Sequence, residues 1–287
     1  MNKFKIRSVF SIARTEYIKW ITNPRIIIVG VLFIFMRTLA VEPLLERAEK
    51  FGENLNILEP FAAIGNSGML VMLMPCVFLI LISDYPIISG NTIFVLHRTG
   101  KLNWFIGQLV FIIYAIFTYI TAILTVSVLT SGGTFGTRWS EVVRKYNYVY
   151  PNESANFASE LLPSNLYNQI PLVTTIIYTV ILMIAYLFIL ALVLYIFKIL
   201  HIQSAGIFAV FAIVGMGVAS CSLKTKIMWM FPMANTIVWL HYEEILSDPV
   251  YPIWSSFLYF LIVIAVLLSI SLIALKKMQF INIEQIR

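Results

Sequence analysis

Residues 171–198 read PLVTTIIYTVILMIAYLFILALVLYIFK, and no charged residue precedes Lys198 in this stretch. A helix needs about 20 apolar residues to cross the hydrocarbon core of a bilayer, so the stretch predicts a membrane span. Of the whole chain, 60% is hydrophobic and only 12% is charged. Soluble domains carry about 25% charged residues, so the bilayer is expected to be the solvent for most of this protein.

Five more apolar stretches predict a single all-α transmembrane domain over 1–287 with six spans, at about 25–41, 62–83, 104–130, 171–198, 205–221 and 253–275. Pro75 predicts a kink in the second span. Between the last two spans, Ile227–His241 is aromatic but too short to cross the bilayer. This segment predicts re-entrant or interfacial helices before the last span.

The first residues are too charged to insert across a bilayer. On a helix over 2–21, the apolar side chains fall within an arc of about 100°, opposite Arg7, Ser11 and Arg14. That apolar face comprises Ile6, Val9, Phe10, Ala13, Tyr17 and Trp20. The pattern predicts an interfacial helix whose apolar face meets the lipid and whose basic face, Arg7 and Arg14, meets anionic headgroups. A cleavable signal peptide is not expected, because the stretch has no short apolar core.

Basic residues beside membrane spans stay cytoplasmic, so their distribution predicts orientation. With six spans, twelve basic residues fall on the side of the termini: Lys3, Lys5, Arg7, Arg14, Lys19, Arg25, Arg98, Lys101, Lys198, Lys276, Lys277 and Arg287. Seven fall on the other side: Arg47, Lys50, Arg138, Arg144, Lys145, Lys224 and Lys226. Both termini are therefore expected in the cytoplasm, and this placement of the positive charge explains the net +6 without nucleic acid.

Sites for catalysis or metal binding are sparse in the sequence. Cys76 and Cys221 lie in apolar runs without a spacing partner, so neither a disulfide nor a metal pair is expected. His241, Glu243 and Glu244 form the densest cluster of potential ligands. His-Glu-x-x-His is absent from the sequence, so this cluster is interpreted as an interfacial helix cap.

The connection after the second span, 84–108, is unusual for a cytoplasmic loop. It reads DYPIISGNTIFVLHRTGKLNWFIGQ and places Ile93, Phe94, Val95 and Leu96 between polar residues. A short helix here, over about 87–98, would expose an apolar patch to the cytoplasm, which predicts a protein partner. The residues alone allow an equal alternative, in which the patch folds back on the membrane or on the bundle.

This connection resembles the first cytoplasmic loop of ABC-2 type transporter permeases, the transmembrane subunits of ATP-binding cassette exporters. The resemblance rests on Asp84, Gly90, Asn91, Thr92, Leu96, Arg98, Gly100, Lys101, Trp104, Gly107 and Gln108. It extends to the layout of an amphipathic N-terminal helix, six spans and a basic tail. Asn91 before Thr92, an early Asp84 and Gln108 in place of a basic residue depart from the family pattern.

The resemblance implies that two permeases, identical or related, pair in the plasma membrane and work with two copies of a separate ATPase subunit. The loop would be a coupling helix that docks on the ATPase, formed by Gly90, Asn91, Thr92, Ile93, Phe94, Leu96, Arg98 and Lys101. Ile93, Phe94 and Leu96 would be docking side chains and Arg98 a charge partner. The N-terminal helix, with Arg7, Arg14, Tyr17 and Trp20, would be a second ATPase contact or a lipid anchor.

The chain carries no Gly-x-x-x-x-Gly-Lys-Ser/Thr motif, so it is not expected to be an enzyme by itself. ATP and Mg would bind the partner ATPase. The expected cargo is amphipathic or hydrophobic, such as a peptide toxin or an antimicrobial. A drug or lipid-linked substrate, an ion-gradient-driven secondary transporter and a membrane enzyme are the alternatives. Asp84 and Arg37, near span ends, are the ionisable candidates for ion coupling.

Overall fold

A computed structural model describes residues 5–88, 90–153, 157–243 and 249–277. These residues form helices and loops, and no strand lies among them. The long helices are α1 (Ile6–Ile21), α2 (Pro24–Phe51), α3 (Glu59–Asn66), α4 (Gly68–Leu81), α5 (Gly90–Thr99), α6 (Lys101–Thr130), α7 (Glu141–Val149), α10 (Leu172–Ile199), α11 (Gln203–Ser222) and α13 (Ile253–Lys277). The short helices are α8 (Phe157–Leu161), α9 (Ser164–Tyr167) and α12 (Pro232–Thr236).

Five of these helices, α2, α6, α10, α11 and α13, are long and apolar enough to cross a membrane. The bent pair α3–α4 would be a sixth crossing if it counts as one span. The all-α, polytopic character predicted from the hydropathy is thereby confirmed. Apolar side chains of α2, α11 and α13, such as Ile34, Phe208 and Leu261, are exposed as lipid-facing residues are.

The first span is longer than predicted. Instead of ending at Val41, α2 continues through the charged stretch to Phe51, with a π-helical turn at Arg37–Val41. Pro43 follows at once, and a proline cannot donate the usual helical hydrogen bond, so the wider turn accommodates it. The charged stretch stays helical because Leu44 and Ala48, one turn apart, are buried on one face.

The N-terminal helix packs on protein rather than lying only against lipid. Val9, Ile12, Ala13, Glu16 and Trp20 are buried, whereas Ile6 and Phe10, predicted to share the apolar face, are exposed. Gly107 of α6 permits this approach, since a Cβ there would lie 2.8 Å from the Ile12 side chain. The apolar arc predicted to meet lipid is therefore divided between a protein-facing side and an exposed side.

The second span is broken, and the break is not at Pro75. The axes of α3 and α4 differ by 80°, and Ser67 joins them. Asn66, fully buried at the end of α3, donates from Nδ2 to the carbonyl of Ala62 (2.9 Å) and to Oγ1 of Thr179 on α10 (3.0 Å). Gly65 brings α3 against α10, because a Cβ there would overlap the Thr179 methyl group at 2.1 Å.

The same asparagine holds the segment before the last span. Val238 N–H donates to Asn66 Oδ1 (2.9 Å), and Trp239 Nε1–H donates to the Asn66 carbonyl (2.8 Å). This segment consists of 3₁₀ turns at Lys226–Met230 and Val238–His241 around the buried α12. The segment is broken into short helices, as predicted, and its re-entrant or interfacial placement stays a prediction.

The end of the bundle that carries the segment 131–171 is called the loop end. There, the buried Glu59 carboxylate accepts from Ser140 N–H, from Ser140 Oγ (2.9 Å) and from Asn56 N–H (3.0 Å). Lys50 pairs with Glu153, and the Tyr146 hydroxyl donates to the same carboxylate (2.6 Å). These contacts join α2, α3 and α7 at one level.

The opposite end, which carries α1, is called the N-terminal end. Arg25 Nη1 donates to the Asp84 carboxylate (2.5 Å) and to Ser83 Oγ (2.7 Å). Gln203 Nε2, at the start of α11, donates to the Ser83 carbonyl (3.1 Å). Glu59 and Asp84, which flank the broken pair α3–α4, therefore take part in contacts at opposite ends of the bundle.

Replacing Asn66 by alanine is expected to destabilise the protein by about 1–3 kcal/mol, since Val238 N–H loses its acceptor in the buried interior. The Trp239 bond survives, because it uses the main-chain carbonyl of residue 66. Thermal unfolding of the purified protein in detergent measures the effect. Asn54→Ala, at an exposed loop position, is the matched control, and an equal loss in both variants would contradict the role of Asn66.

Candidate functional site

The predicted coupling segment is helical, as α5, and packs against the N-terminal end of α6. Gly100 separates the two helices with a φ of 85°, a backbone conformation that favours glycine. The Gly100 N–H closes α5 by donating to the Leu96 carbonyl (2.8 Å). The sharp turn fixes α5 against the body of the protein, so its two faces have distinct environments.

The outward face of α5 carries Phe94, of which 74% is exposed, together with His97 and Arg98. The inward face carries Thr92 and Leu96, both 6% exposed. Leu96 was predicted to be a docking side chain, and this is corrected: it packs in the core of the chain itself and anchors α5. Asn91 and Ile93 have side chains outside the described part, although their backbone is helical.

The remaining positions of the loop pattern are mostly internal. Trp104 and Gln108 are buried on α6, and the Tyr85 hydroxyl donates to the Gln108 carbonyl (3.1 Å). Gly107 allows α1 to pack closely against α6, because a Cβ at this position would meet the Ile12 side chain. Lys101 is half-buried at the first turn of α6. These residues set the position of α5 and α1 instead of forming an outward surface.

A cleft of about 860 Å³ lies between α1 and α5. Its α1 wall carries Ser8, Ser11 and Thr15 one turn apart, and its floor includes Ile12 and the buried Trp104. Charged side chains around it are Lys5, Arg7, Glu16, Lys19 and Arg98, and the α5 wall adds Thr92, Val95 and Thr99. The helices α1 and α5, predicted as two separate contacts with an ATPase, therefore border one polar cleft. The hydropathy pattern could not reveal this, because it does not show which helices are neighbours.

The other predicted residues of the N-terminal helix have different positions. Arg14 is exposed and does not line the cleft. The Tyr17 hydroxyl hydrogen-bonds Thr118 Oγ1 of α6 (2.9 Å), and Trp20 packs edge-on against Phe111. Tyr17 and Trp20 therefore attach α1 to α6, and of the four residues predicted on this helix Arg7 and Arg14 are the exposed ones.

His241 takes part in a structural network. Its Nδ1 donates to the Tyr251 carbonyl (2.8 Å), and its Nε2 lies 3.4 Å from Ser256 Oγ. Ser256 Oγ donates to Asn235 Oδ1 (2.7 Å), and both residues are fully buried. The His241 side chain is itself fully buried among these residues. Glu243 is described, whereas Glu244 lies outside the described residues.

No cluster of three His, Cys, Asp or Glu side chains suited to a metal ion occurs in 5–88, 90–153, 157–243 or 249–277.

The long apolar helices and the cleft together define a multi-pass, all-α membrane protein with a basic cleft at its N-terminal end. Comparison of the chain with protein-family models, with curated proteins and with solved structures found no match.

Cysteine labelling tests the two faces of α5. In a background with Cys76 and Cys221 replaced by alanine, Phe94→Cys is expected to react quickly with a bulky, membrane-impermeant maleimide, and Leu96→Cys slowly. The buried position should react at least about tenfold more slowly, because labelling requires local opening. Equal rates at 94 and 96 would contradict the orientation of α5.

Burial lowers the pKa of His241 below its usual value, although hydrogen bonding opposes the shift. The stability of the neutral, buried form is therefore fully present above the unfolded pKa of about 6.5 and is lost as the pH falls below it. The melting temperature should therefore be lower at pH 5.5 than at pH 7.5, two values that lie about one unit below and above that pKa. His241→Gln should flatten this dependence, whereas the exposed His97→Gln should leave it unchanged; the reverse would contradict the assignment.

Proposed function

We propose that this protein is the permease subunit of an ATP-driven exporter of the ABC-2 type, and that α5 transmits force from a separate ATPase. The observation that carries the proposal is Phe94, a large apolar side chain left in the open at a polar end of the protein. Large aromatic side chains are among the residues that contribute most to protein contacts, and a docking role for this helix is what the resemblance of the loop implies.

A six-span topology supports the proposal. The residues that flank α3–α4 take part in contacts at opposite ends of the bundle, through Glu59 with Ser140 and Ser83 with Gln203. We therefore count the bent pair as a crossing, in addition to the five unbroken helices. An even number of crossings puts both termini on one side, and the basic residues favour the cytoplasm for that side.

The contact with the ATPase would use the outward face of α5. Phe94 is its apolar centre, and Arg98 at its rim is a charge partner for a carboxylate. Leu96, buried beneath, anchors α5 in the core of the chain, and α5 leads through Gly100 into α6, a helix of 30 residues, so a displacement of α5 would be passed to that helix. Arg7 and Arg14 on α1 would provide the second contact.

Transport would need two such chains and two ATPase subunits, with ATP and Mg bound to the ATPase. The cargo would be amphipathic or hydrophobic, a peptide or antimicrobial being the first candidate and a drug or lipid-linked molecule the second. The ionisable candidates for ion coupling are paired, Asp84 with Arg25 and Arg37 with Glu42, and the buried Glu59 carboxylate accepts from Ser140 and Asn56, which favours the ATP-driven proposal over an ion-coupled alternative.

The test is co-purification of an ATPase with the tagged protein from its native membrane. Phe94→Asp should reduce the yield of the co-purified ATPase at least about tenfold, because a charge at the centre of an apolar contact costs several kcal/mol. Phe135→Asp is the matched control, since Phe135 is 76% exposed and lies in the segment of the loop end. Retention of the ATPase by Phe94→Asp, or equal loss in both variants, would refute the coupling role.

A further inference from the structure

The cleft between α1 and α5 has the composition of an anion site. Lys5, Arg7, Lys19 and Arg98 surround it, and Glu16 is the one carboxylate among the described residues of its lining. Glu16 is already paired with Lys19 (3.1 Å). The lining therefore carries a formal excess of three positive charges, in a space large enough for a phosphate group and the molecule attached to it.

Hydroxyl donors lie beside Arg7 on the α1 wall. Ser8 and Ser11 are one helical turn apart on the same wall as Arg7. The Thr15 hydroxyl is committed to the Ser11 carbonyl (2.9 Å) and the Thr99 hydroxyl to the Val95 carbonyl (2.7 Å). The serine hydroxyls and the guanidinium groups of Arg7 and Arg98 are the donors suited to an incoming anion.

The acidic residues near the cleft do not neutralise it. Among the described ion pairs, those of α1 and α5 comprise only Lys19 with Glu16. Asp84, another carboxylate at this end of the bundle, is bonded to Arg25. Clustered cations without counter-charges repel one another, so a bound anion would stabilise the folded protein as well as fill the cleft.

We infer that this cleft binds a phosphate-bearing anion, with Arg7 and Arg98 on opposite walls and Ser8 and Ser11 as hydroxyl donors. Two sources share this chemistry: a soluble phosphate compound and the headgroup of an anionic lipid. The site shares Arg7 and Arg98 with the proposed ATPase contact, but not Phe94, which is on the outward face of α5 and does not line the cleft.

Arg14 provides a matched control, because it lies on the same helix, is exposed and does not line the cleft. The variants are the double substitution Arg7→Gln/Arg98→Gln, the single substitution Ser11→Asp, which adds an anion to the α1 wall, and Arg14→Gln. The full-length protein is purified without any ATPase, so failure of the proposed function leaves this test unaffected. Melting temperatures verify that each variant is folded.

One arm titrates inorganic phosphate into the protein in neutral detergent and follows the ³¹P linewidth. In the second arm, the protein is reconstituted into vesicles of phosphatidylcholine and phosphatidylglycerol and then analysed by native mass spectrometry. The readout is the number of phosphatidylglycerol molecules that stay bound to the protein. The wild type and Arg14→Gln should bind, and the double variant and Ser11→Asp should bind at least about tenfold more weakly, as loss of a charged hydrogen bond implies.

Binding of inorganic phosphate with this pattern identifies a soluble source, and selective retention of phosphatidylglycerol with this pattern identifies the lipid. If neither probe binds the wild type, the inference is overturned. It is equally overturned if Arg14→Gln loses as much binding as the double variant, because the effect would then be general surface charge.

Discussion

The structure depends on a single buried asparagine that serves two breaks in helical structure. A helix end inside a membrane protein leaves main-chain groups without partners, and water is not there to satisfy them. Asn66 ends α3, bonds Thr179 on α10 and accepts from the main chain of Val238 in the segment before the last span. With those groups satisfied, the chain can bend by 80° at Ser67 inside the protein.

The bend has a consequence for the site. Because α4 leaves the break as a separate helix, it delivers Ser83 and Asp84 to the N-terminal end, where Arg25 and Gln203 fix them. The chain then enters α5, whose inward face is anchored by Leu96 and whose outward face presents Phe94. Transmission of force requires that the exposed apolar side chain belong to an anchored helix. The same helix, α5, forms one wall of the basic cleft beside α1.

Hydropathy predicted the long helices well, since runs such as 171–198 have one physical solution in a bilayer. It was wrong about the end of the first span: the span was predicted to end at Val41, yet Leu44 and Ala48 keep the charged stretch after it helical. Pro75 was the visible signal for a bend, but the bend depends on side-chain partners of Asn66 that are distant in sequence. The division of the α1 face was likewise invisible, because it depends on Gly107 allowing α6 to approach. Leu96 could not be separated from Phe94 until the direction of the α5 axis was known.

Photo-crosslinking in intact cells tests the central claim that α5 is the contact point of an external ATPase. Benzoylphenylalanine in place of Phe94 should give, on irradiation, one covalent adduct with a polypeptide that an azido-ATP analogue also labels. An adduct formed only with lipid, or only with a second copy of this chain, would show that the exposed side chain at position 94 faces the membrane or a dimer interface, which would contradict the account.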